Sequence, residues 1–401
     1  MPPLGEGTVR GVNVAYRKGL PGPGPDLVIV GGGTLGLAVA WKAAGAGLST
    51  QVVDPTPGKG ASWAAAGMLA PVTEVHYGEE RLLRLNLYSS ELWPDFAAEL
   101  EEAAGRPVGY RRSGTLTVAR DTDDNAALEE LFAFQQRLGL QVERLRAREC
   151  RSLEPSLAPR VRGGILVPGD HQVDNRALVT ALRVAAERAG VRFRPAAATT
   201  LLVEGDRVRG VRLDSGEELG CGTLVLAAGS WSGKVRGLPP EAVPPVRPVK
   251  GQLLHLRGPA DALLATRNIR GLDVYVVNRA DGRLVVGASV EERGYDTTMT
   301  AGAVLDLLRY AYELLPGVTE LEVTELTAGL RPGTPDNAPL IGPAVLEGLV
   351  LATGHYRNGV LLTPATAEGI VDLLAGGGLP ERFAPFSPRR FTGATVREPI
   401  S

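Results

Sequence analysis

Cysteine is nearly absent: the 401 residues hold two, Cys150 and Cys221, far apart and without metal-ligand spacing. A zinc site of paired thiolates is excluded, and two buried thiols in a reducing cytoplasm are expected rather than a disulfide. Histidine is also scarce. His76, His171, His255 and His355 are scattered, without metal spacing and without an evident His–Asp catalytic pair. No apolar run approaches the about 18 residues that a membrane span requires, and no basic amphipathic segment offers a membrane-docking helix. The formal net charge is −2, with no long block of one sign, so nothing electrostatic recommends a nucleic-acid partner.

What is present is ordinary globular composition, 44% hydrophobic and 22% charged. The chain is too long for one ordinary core, so two intimately joined domains are expected. Residues 1–25 are rich in Gly and Pro and lack the apolar core of a signal peptide, which reads as a loosely ordered leader. A short apolar run, DLVIV at 26–30, leads into GGGTLG, a helical stretch over 34–46 and a second strand at 51–53 that ends on Asp54. Further on, 79–100 reads as a helix interrupted at Pro94, 114–119 as a strand and 125–138 as a helix. A helix over 175–189 has Asn175 as its expected N-cap. Strands dominate to about Gly229, and a strand-rich block over 246–290 contains a hairpin turning at Ala280-Asp281-Gly282. A helix at 301–315, strands at 321–326 and 348–352, and a helix to about Leu374 complete the pattern.

The chemistry begins at Gly31-x-Gly33-x-x-Gly36. The first glycine permits a tight turn, the second lets backbone approach a pyrophosphate, and the third lets the helix pack close to the strand. Asp54, 23 residues after Gly31, stands where a carboxylate can accept hydrogen bonds from ribose hydroxyls. A bare glycine motif can also be a tight turn of another α/β protein. Here the preceding strand, the following helix and the downstream acid agree on a dinucleotide.

The stretch Gly60-Ala61-Ser62-Trp63-Ala64-Ala65-Ala66-Gly67-Met68-Leu69-Ala70-Pro71 favours a flavin over a nicotinamide. Tiny side chains let backbone lie flat against an isoalloxazine ring; the plain alternative is a close helix–sheet contact.

With these segments in view, the sequence resembles the D-amino-acid oxidase family, and within it the glycine oxidases of thiamine biosynthesis. The carrying segments are VIVGGGTLG, ASWAAAGMLAP, VLAAGSWSG, VKGQLLHLRG, GRLVVGASV, AGLRPGTPDNAPLIG and GHYRNGVLLTPATA, in the family's order over 26–374. The resemblance implies an α/β fold: an FAD-binding, Rossmann-like domain of the glutathione-reductase type with an inserted antiparallel-sheet substrate domain. The first is expected over 26–108, 163–239 and 331–385, the second over 109–162 and 240–330, with a tail over 386–401.

It also implies roles. Thr34 and Leu35 sit in the dinucleotide turn, and Asp54 with Pro55 meets the adenosine ribose. Ala61 and Ser62 contact the cofactor, Ala66, Gly67 and Met68 line the flavin ring, and Thr200 makes a backbone contact to adenine. His355, Tyr356, Arg357, Asn358, Gly359, Val360 and Leu361 wrap the ring's pyrimidine side. Arg331 matches the carboxylate-binding arginine, Arg357 a second substrate contact and Tyr275 the active-site tyrosine. Three departures stand out. Asp54 replaces a longer Glu, Trp63 replaces a smaller residue near the flavin entrance, and the leader has no counterpart.

Read without the family, Arg331 is either a surface ion pair or, through its planar fork, a carboxylate clamp. Tyr275, between Val274 and Val276, is either core packing or a phenol facing the substrate. Arg357 binds substrate or balances the charge of reduced flavin. The implied reaction is hydride transfer from a small amino acid to non-covalent FAD, with dioxygen as acceptor. From glycine it gives glyoxylate, ammonia and hydrogen peroxide, through an imine that feeds thiazole synthesis. A homo-oligomer is the expected assembly. Competing readings are a sarcosine or broader D-amino-acid oxidase, a quinone-linked D-amino-acid dehydrogenase and a non-catalytic flavoprotein subunit.

Overall fold

The computed structural model describes residues 24–392. Nearly all of the expected leader, and the end of the expected tail from residue 393, lie outside the described residues.

Leu27–Val30 and Thr50–Val53 are buried along their whole length, as strands covered on both faces must be. They lie in parallel at the centre of a six-stranded sheet. Its order is Leu340–Pro343, Leu349–Thr353, Thr223–Leu226, Leu27–Val30, Thr50–Val53 and Arg192–Arg194. Only Leu340–Pro343 runs antiparallel to its neighbour. The helices Thr34–Gly45, Glu80–Ala104, Asn175–Arg188 and Thr363–Leu374 pack against one another over one face, in a core that includes Leu37, Trp93, Leu182 and Ile370.

The helix expected to break at Pro94 runs unbroken through Glu80–Ala104. Proline removes one backbone donor there, but the turn just before it is tied at two points to one carbonyl. Ser89 Oγ and Trp93 Nε1 donate to Leu361 O at 2.7 and 2.8 Å. Tertiary anchoring outweighs the local defect. The expected cap also shifts by one residue. Asp174 caps the Asn175–Arg188 helix, accepting from the amides of Arg176 and Ala177. Asn175 instead donates to the carbonyls of Ser62 and Trp63, both at 2.9 Å, which fixes the segment beside the cavity described below.

A second sheet of eight strands has the order Glu322–Gly333, Arg247–Arg257, Arg283–Gly287, Tyr275–Asn278, Asn268–Arg270, Thr115–Ala119, Gly163–Val167 and Glu143–Arg146. It is antiparallel except where Asn268–Arg270 meets Thr115–Ala119. The helix Ala301–Leu314 covers its outer face. Two expected boundaries move. Gly163–Val167 pairs with Thr115–Ala119, so the crossing expected at 162/163 falls after Val167. The strand expected to end at 326 continues to Gly333 and carries Arg331, because its register with Arg247–Arg257 holds to the end.

Candidate active site

Between the two sheets lies a cavity of about 930 Å³, at the upper end of the range for small-molecule sites. At one end, Gly31 adopts a φ of +111°, and a Cβ there would stand 2.3 Å from the carbonyl oxygen of Ala227. A Cβ at Gly36 would stand 1.9 Å from Gly31 O, so the helix rests on the turn through this glycine and not through contact with the cavity. Gly33, Thr34 and Leu35 line the cavity. The helix Thr34–Gly45 has no cap from its own N-cap residue and no acid in its first turn, which leaves the amides beyond Thr34 open to an anion. Ser62 Oγ accepts from the Thr34 amide at 3.0 Å. Asp54 accepts from Gly32 N and Thr56 N, each at 2.7 Å, so the carboxylate both braces the turn and faces the cavity beside Pro55.

The small-residue stretch serves both of the purposes weighed for it. A Cβ on Gly329 of the eight-stranded sheet would stand 2.6 Å from the Ala64 methyl, a close helix–sheet contact. Ala61, Ser62, Ala66, Gly67 and Met68 line the cavity. Gly67 has a φ of +73°, and a side chain there would collide with Val173 O. Behind it, the buried guanidinium of Arg279 donates to Ala66 O at 2.6 Å, Val173 O at 2.8 Å and Gln172 Oε1 at 2.8 Å. Burial lowers its pKa to about 10. Trp63 is not on the cavity wall; its ring lies between Lys59 and Arg176, 3.5 and 4.7 Å from their cationic groups.

Thr200 does not reach the cavity either. Ala197 and Ala198 line it, and the strand Ala198–Glu204 then runs away, so that Thr200 pairs with Arg212 and bridges to Arg236. Two residues of strand advance about 6.6 Å, enough to carry Thr200 past the wall.

At the other end, strand register settles which side chains share a face. Arg331 pairs with Val249, Leu253 with Gly287, Gly287 with Tyr275 and Tyr275 with Arg270. Directly paired residues point the same way and alternate residues share a face, so Arg331, Gly251, Gly287, Tyr275 and Arg270 all face the cavity. Both glycines make room. A Cβ at Gly251 would stand 2.4 Å from Arg331 Nη1, and one at Gly287 would stand 2.5 Å from the Tyr275 hydroxyl.

Arg331 donates to Ser289 O at 3.1 Å and Lys250 O at 3.3 Å, and no carboxylate among the described residues is within ion-pair distance of it. The surface ion pair weighed for it is therefore not what it makes. Burial raises the Tyr275 pKa against the opposing pull of Arg331, which keeps the phenol protonated. Arg357 forms ion pairs with Glu74 at 3.2 Å and Glu79 at 3.3 Å. Arg270 also pairs with Glu74.

His355, Tyr356, Arg357, Asn358, Gly359, Val360 and Leu361 all line the cavity, and the helix Thr363–Leu374 starts two residues later. His355 is buried, with Nε2 3.0 Å from Thr366 Oγ1, and burial lowers its pKa to about 3, so it is neutral. Neither cysteine lines the cavity; burial raises the thiols of Cys150 and Cys221 to about 11 and 12. Among the described residues no cluster of His, Cys, Asp or Glu could hold a metal ion, and no helix is long and apolar enough to cross a membrane.

Sequence reasoning missed Glu74, Arg270 and Arg279. Arg270 was within reach, since folding the hairpin on residues 271–274 puts it directly opposite Tyr275. Glu74 lies in a loop with no local signal.

The residues present fit FAD: an open helix end for a pyrophosphate, a paired carboxylate at the adenosine end, and a floor of alanine and glycine. The sequence profile of the FAD-dependent oxidoreductases matches residues 26–373. The bifunctional protein ThiO/ThiG of Synechocystis sp. is 35% identical over 377 residues, 92% of this chain and 54% of that one. The chain thus spans about half the length of such bifunctional relatives. Glycine oxidase of Geobacillus kaustophilus is 33% identical over 379 residues, covering 92% and 97% of the two chains. The crystal structure of glycine oxidase from Geobacillus kaustophilus superposes with a TM-score of 0.84 at 30% identity, over 94% of this chain and 99% of that one.

Proposed function

The chain belongs to the FAD-dependent oxidoreductase family, and on that premise we propose that it oxidises glycine and similarly small amino acids. FAD is the family's cofactor; when bound, its flavin supplies the two-electron acceptor for the α-hydrogen and its electron pair. The reaction is glycine plus dioxygen and water giving glyoxylate, ammonia and hydrogen peroxide. The likeness to glycine oxidases and to ThiO/ThiG proteins supports this reading, and the latter support delivery of the glycine imine to thiazole synthesis.

One observation carries the proposal: Arg331 is a cavity-facing guanidinium without a carboxylate partner among the described residues, on the same sheet face as the half-buried phenol of Tyr275. Arg331 holds the substrate carboxylate through its fork, and Tyr275, protonated, donates a further hydrogen bond to it. Held at that end, a small amino acid has its α-carbon directed toward Ala66, Gly67 and Met68. Arg357 is already engaged by Glu74 and Glu79, which leaves Arg331 as the guanidinium that takes the substrate carboxylate. No side chain needs to act as a strong base if the amine binds neutral, and neutral His355 is taken up by its bond to Thr366.

An oxygen electrode with glycine, sarcosine and D-alanine tests the proposal. Oxygen uptake is expected, with glycine among the substrates used. Uptake with sarcosine or D-alanine but not glycine would replace it with the broader amine oxidase. Bleaching of the flavin under nitrogen without oxygen uptake in air would point to a quinone acceptor.

A further inference from the structure

Three guanidiniums line the cavity at its substrate end: Arg270, Arg331 and Arg357. They are not equivalent. Glu74 pairs with both Arg270 and Arg357, and Glu79 adds a second carboxylate to Arg357. Two positive and two negative charges thus cancel, and of the three Arg331 is left without a carboxylate among the described residues.

Resting on the proposed amino-acid oxidase activity, we propose that Glu74 sets the charge class of the substrate. By neutralising Arg270 and Arg357 it makes the chamber accept amino acids with one carboxylate and reject those with a second.

Glu74 is placed to do this permanently. Its side chain is 10% exposed, and it lines the cavity. Burial acts to raise its pKa, but the charges of Arg270 and Arg357 outweigh burial and keep it ionised. The preceding residues are clamped: Asp170 accepts from Val72 N at 3.1 Å, and from Thr73 N and Oγ1 at 2.7 and 2.6 Å. The carboxylate therefore cannot swing aside cheaply to admit a competing anion. Arg270 belongs to the same sheet face as Arg331 but lies four strands away, about 19 Å between backbones at the usual strand spacing. Without Glu74 the chamber would present cations at both ends, a pattern that suits a dicarboxylate. With it, a second substrate carboxylate finds no unpaired cation at that end to offset its desolvation, and so is discriminated against.

The test uses the FAD-loaded protein and the isosteric variant Glu74→Gln. Acetate and malonate, neither of which is oxidised, are titrated against the flavin's visible spectrum. Steady-state turnover is compared for D-alanine and D-aspartate. In Glu74→Gln the malonate-to-acetate affinity ratio should rise at least about tenfold, and the D-aspartate-to-D-alanine ratio of kcat/KM should rise with it. Arg270→Met shifts the charge the other way, and its malonate-to-acetate ratio should fall. A merely structural role for Glu74 would weaken both ligands alike. Ratios unchanged in either variant, or moving the same way in both, would overturn the proposal; Arg270→Met decides it alone if Glu74→Gln does not hold flavin. If the unsubstituted protein oxidises no amino acid, the functional reading fails, while the acetate and malonate titrations still judge the charge claim.

Discussion

The guanidinium of Arg331 lies over Gly251 on the neighbouring strand, so close that a Cβ at Gly251 would stand 2.4 Å from Nη1 and 2.6 Å from the central carbon. The glycine is thus a seat for the arginine. The same stacking of a polar side chain over an absent one recurs where Tyr275 crosses Gly287. Two glycines in adjacent strands turn part of the sheet into a trough that opens into the cavity.

Gly251→Ala should move the arginine without unfolding the sheet, because the atoms in the way belong to the free end of a flexible side chain. The Michaelis constant for glycine should rise about tenfold or more, with FAD content and melting temperature little changed. Steady-state kinetics beside the flavin-to-protein absorbance ratio would check this. An unaltered Michaelis constant would mean that the position of Arg331 does not matter to substrate binding.

Arg331→Leu removes the clamp itself. Losing a charge-assisted contact of this kind costs about 2–4 kcal/mol, or roughly 30- to 1,000-fold in kcat/KM, with the flavin spectrum preserved. Arg331→Lys should recover only part, since an ammonium keeps the charge but cannot form two parallel hydrogen bonds. Glycine turnover that survives Arg331→Leu within about twofold would move the carboxylate site elsewhere in the cavity.

Asp54→Ala should weaken FAD binding by about 1–3 kcal/mol, as expected when a hydrogen-bonded partner is lost. The structure adds a second cause, since Asp54 also holds the amides of Gly32 and Thr56. Flavin fluorescence released on dilution measures the effect. Retention equal to that of the unsubstituted protein would show that neither bond matters to the cofactor.

His255 gives stability a pH dependence. Its Nε2 lies 3.3 Å from Arg176 Nη2, and burial, helped by the charge of Arg176, lowers its pKa from 6.5 to about 4. The unfolded imidazole takes up a proton near 6.5, the folded one only near 4. The stabilisation is therefore complete above 6.5 and is lost as the pH falls toward 4, at up to about 1.4 kcal/mol per pH unit. Melting temperature should fall between pH 6.5 and 5, and His255→Gln should flatten that slope. His355, neutral for the same reason, leaves a residual slope in the variant. Identical slopes in the two proteins would remove His255 as a cause.

By itself the sequence determined the glycine turn at one end of the cavity. The strand, the three glycines, the helix and Asp54 lie within 28 residues of one another, and local hydrogen bonds and close backbone contacts assemble them. It also led to Arg331 and the loop around His355 through quoted motifs, and to Tyr275 through the family resemblance, and all of these line one cavity. It could not decide what the polar groups do once there. Among the described residues Arg331 lacks a carboxylate, and Arg357 has two, because strand register and a loop nearly 300 residues earlier in the chain place Glu74 and Glu79 beside one arginine and not the other. It likewise misjudged Pro94 and Thr200. A helix continues through proline when the turn before it is anchored to a distant carbonyl, and a strand leaves a cavity wall within two residues. Charge balance and helix continuity are sums over contacts distant in sequence, and only the folded chain brings those contacts together.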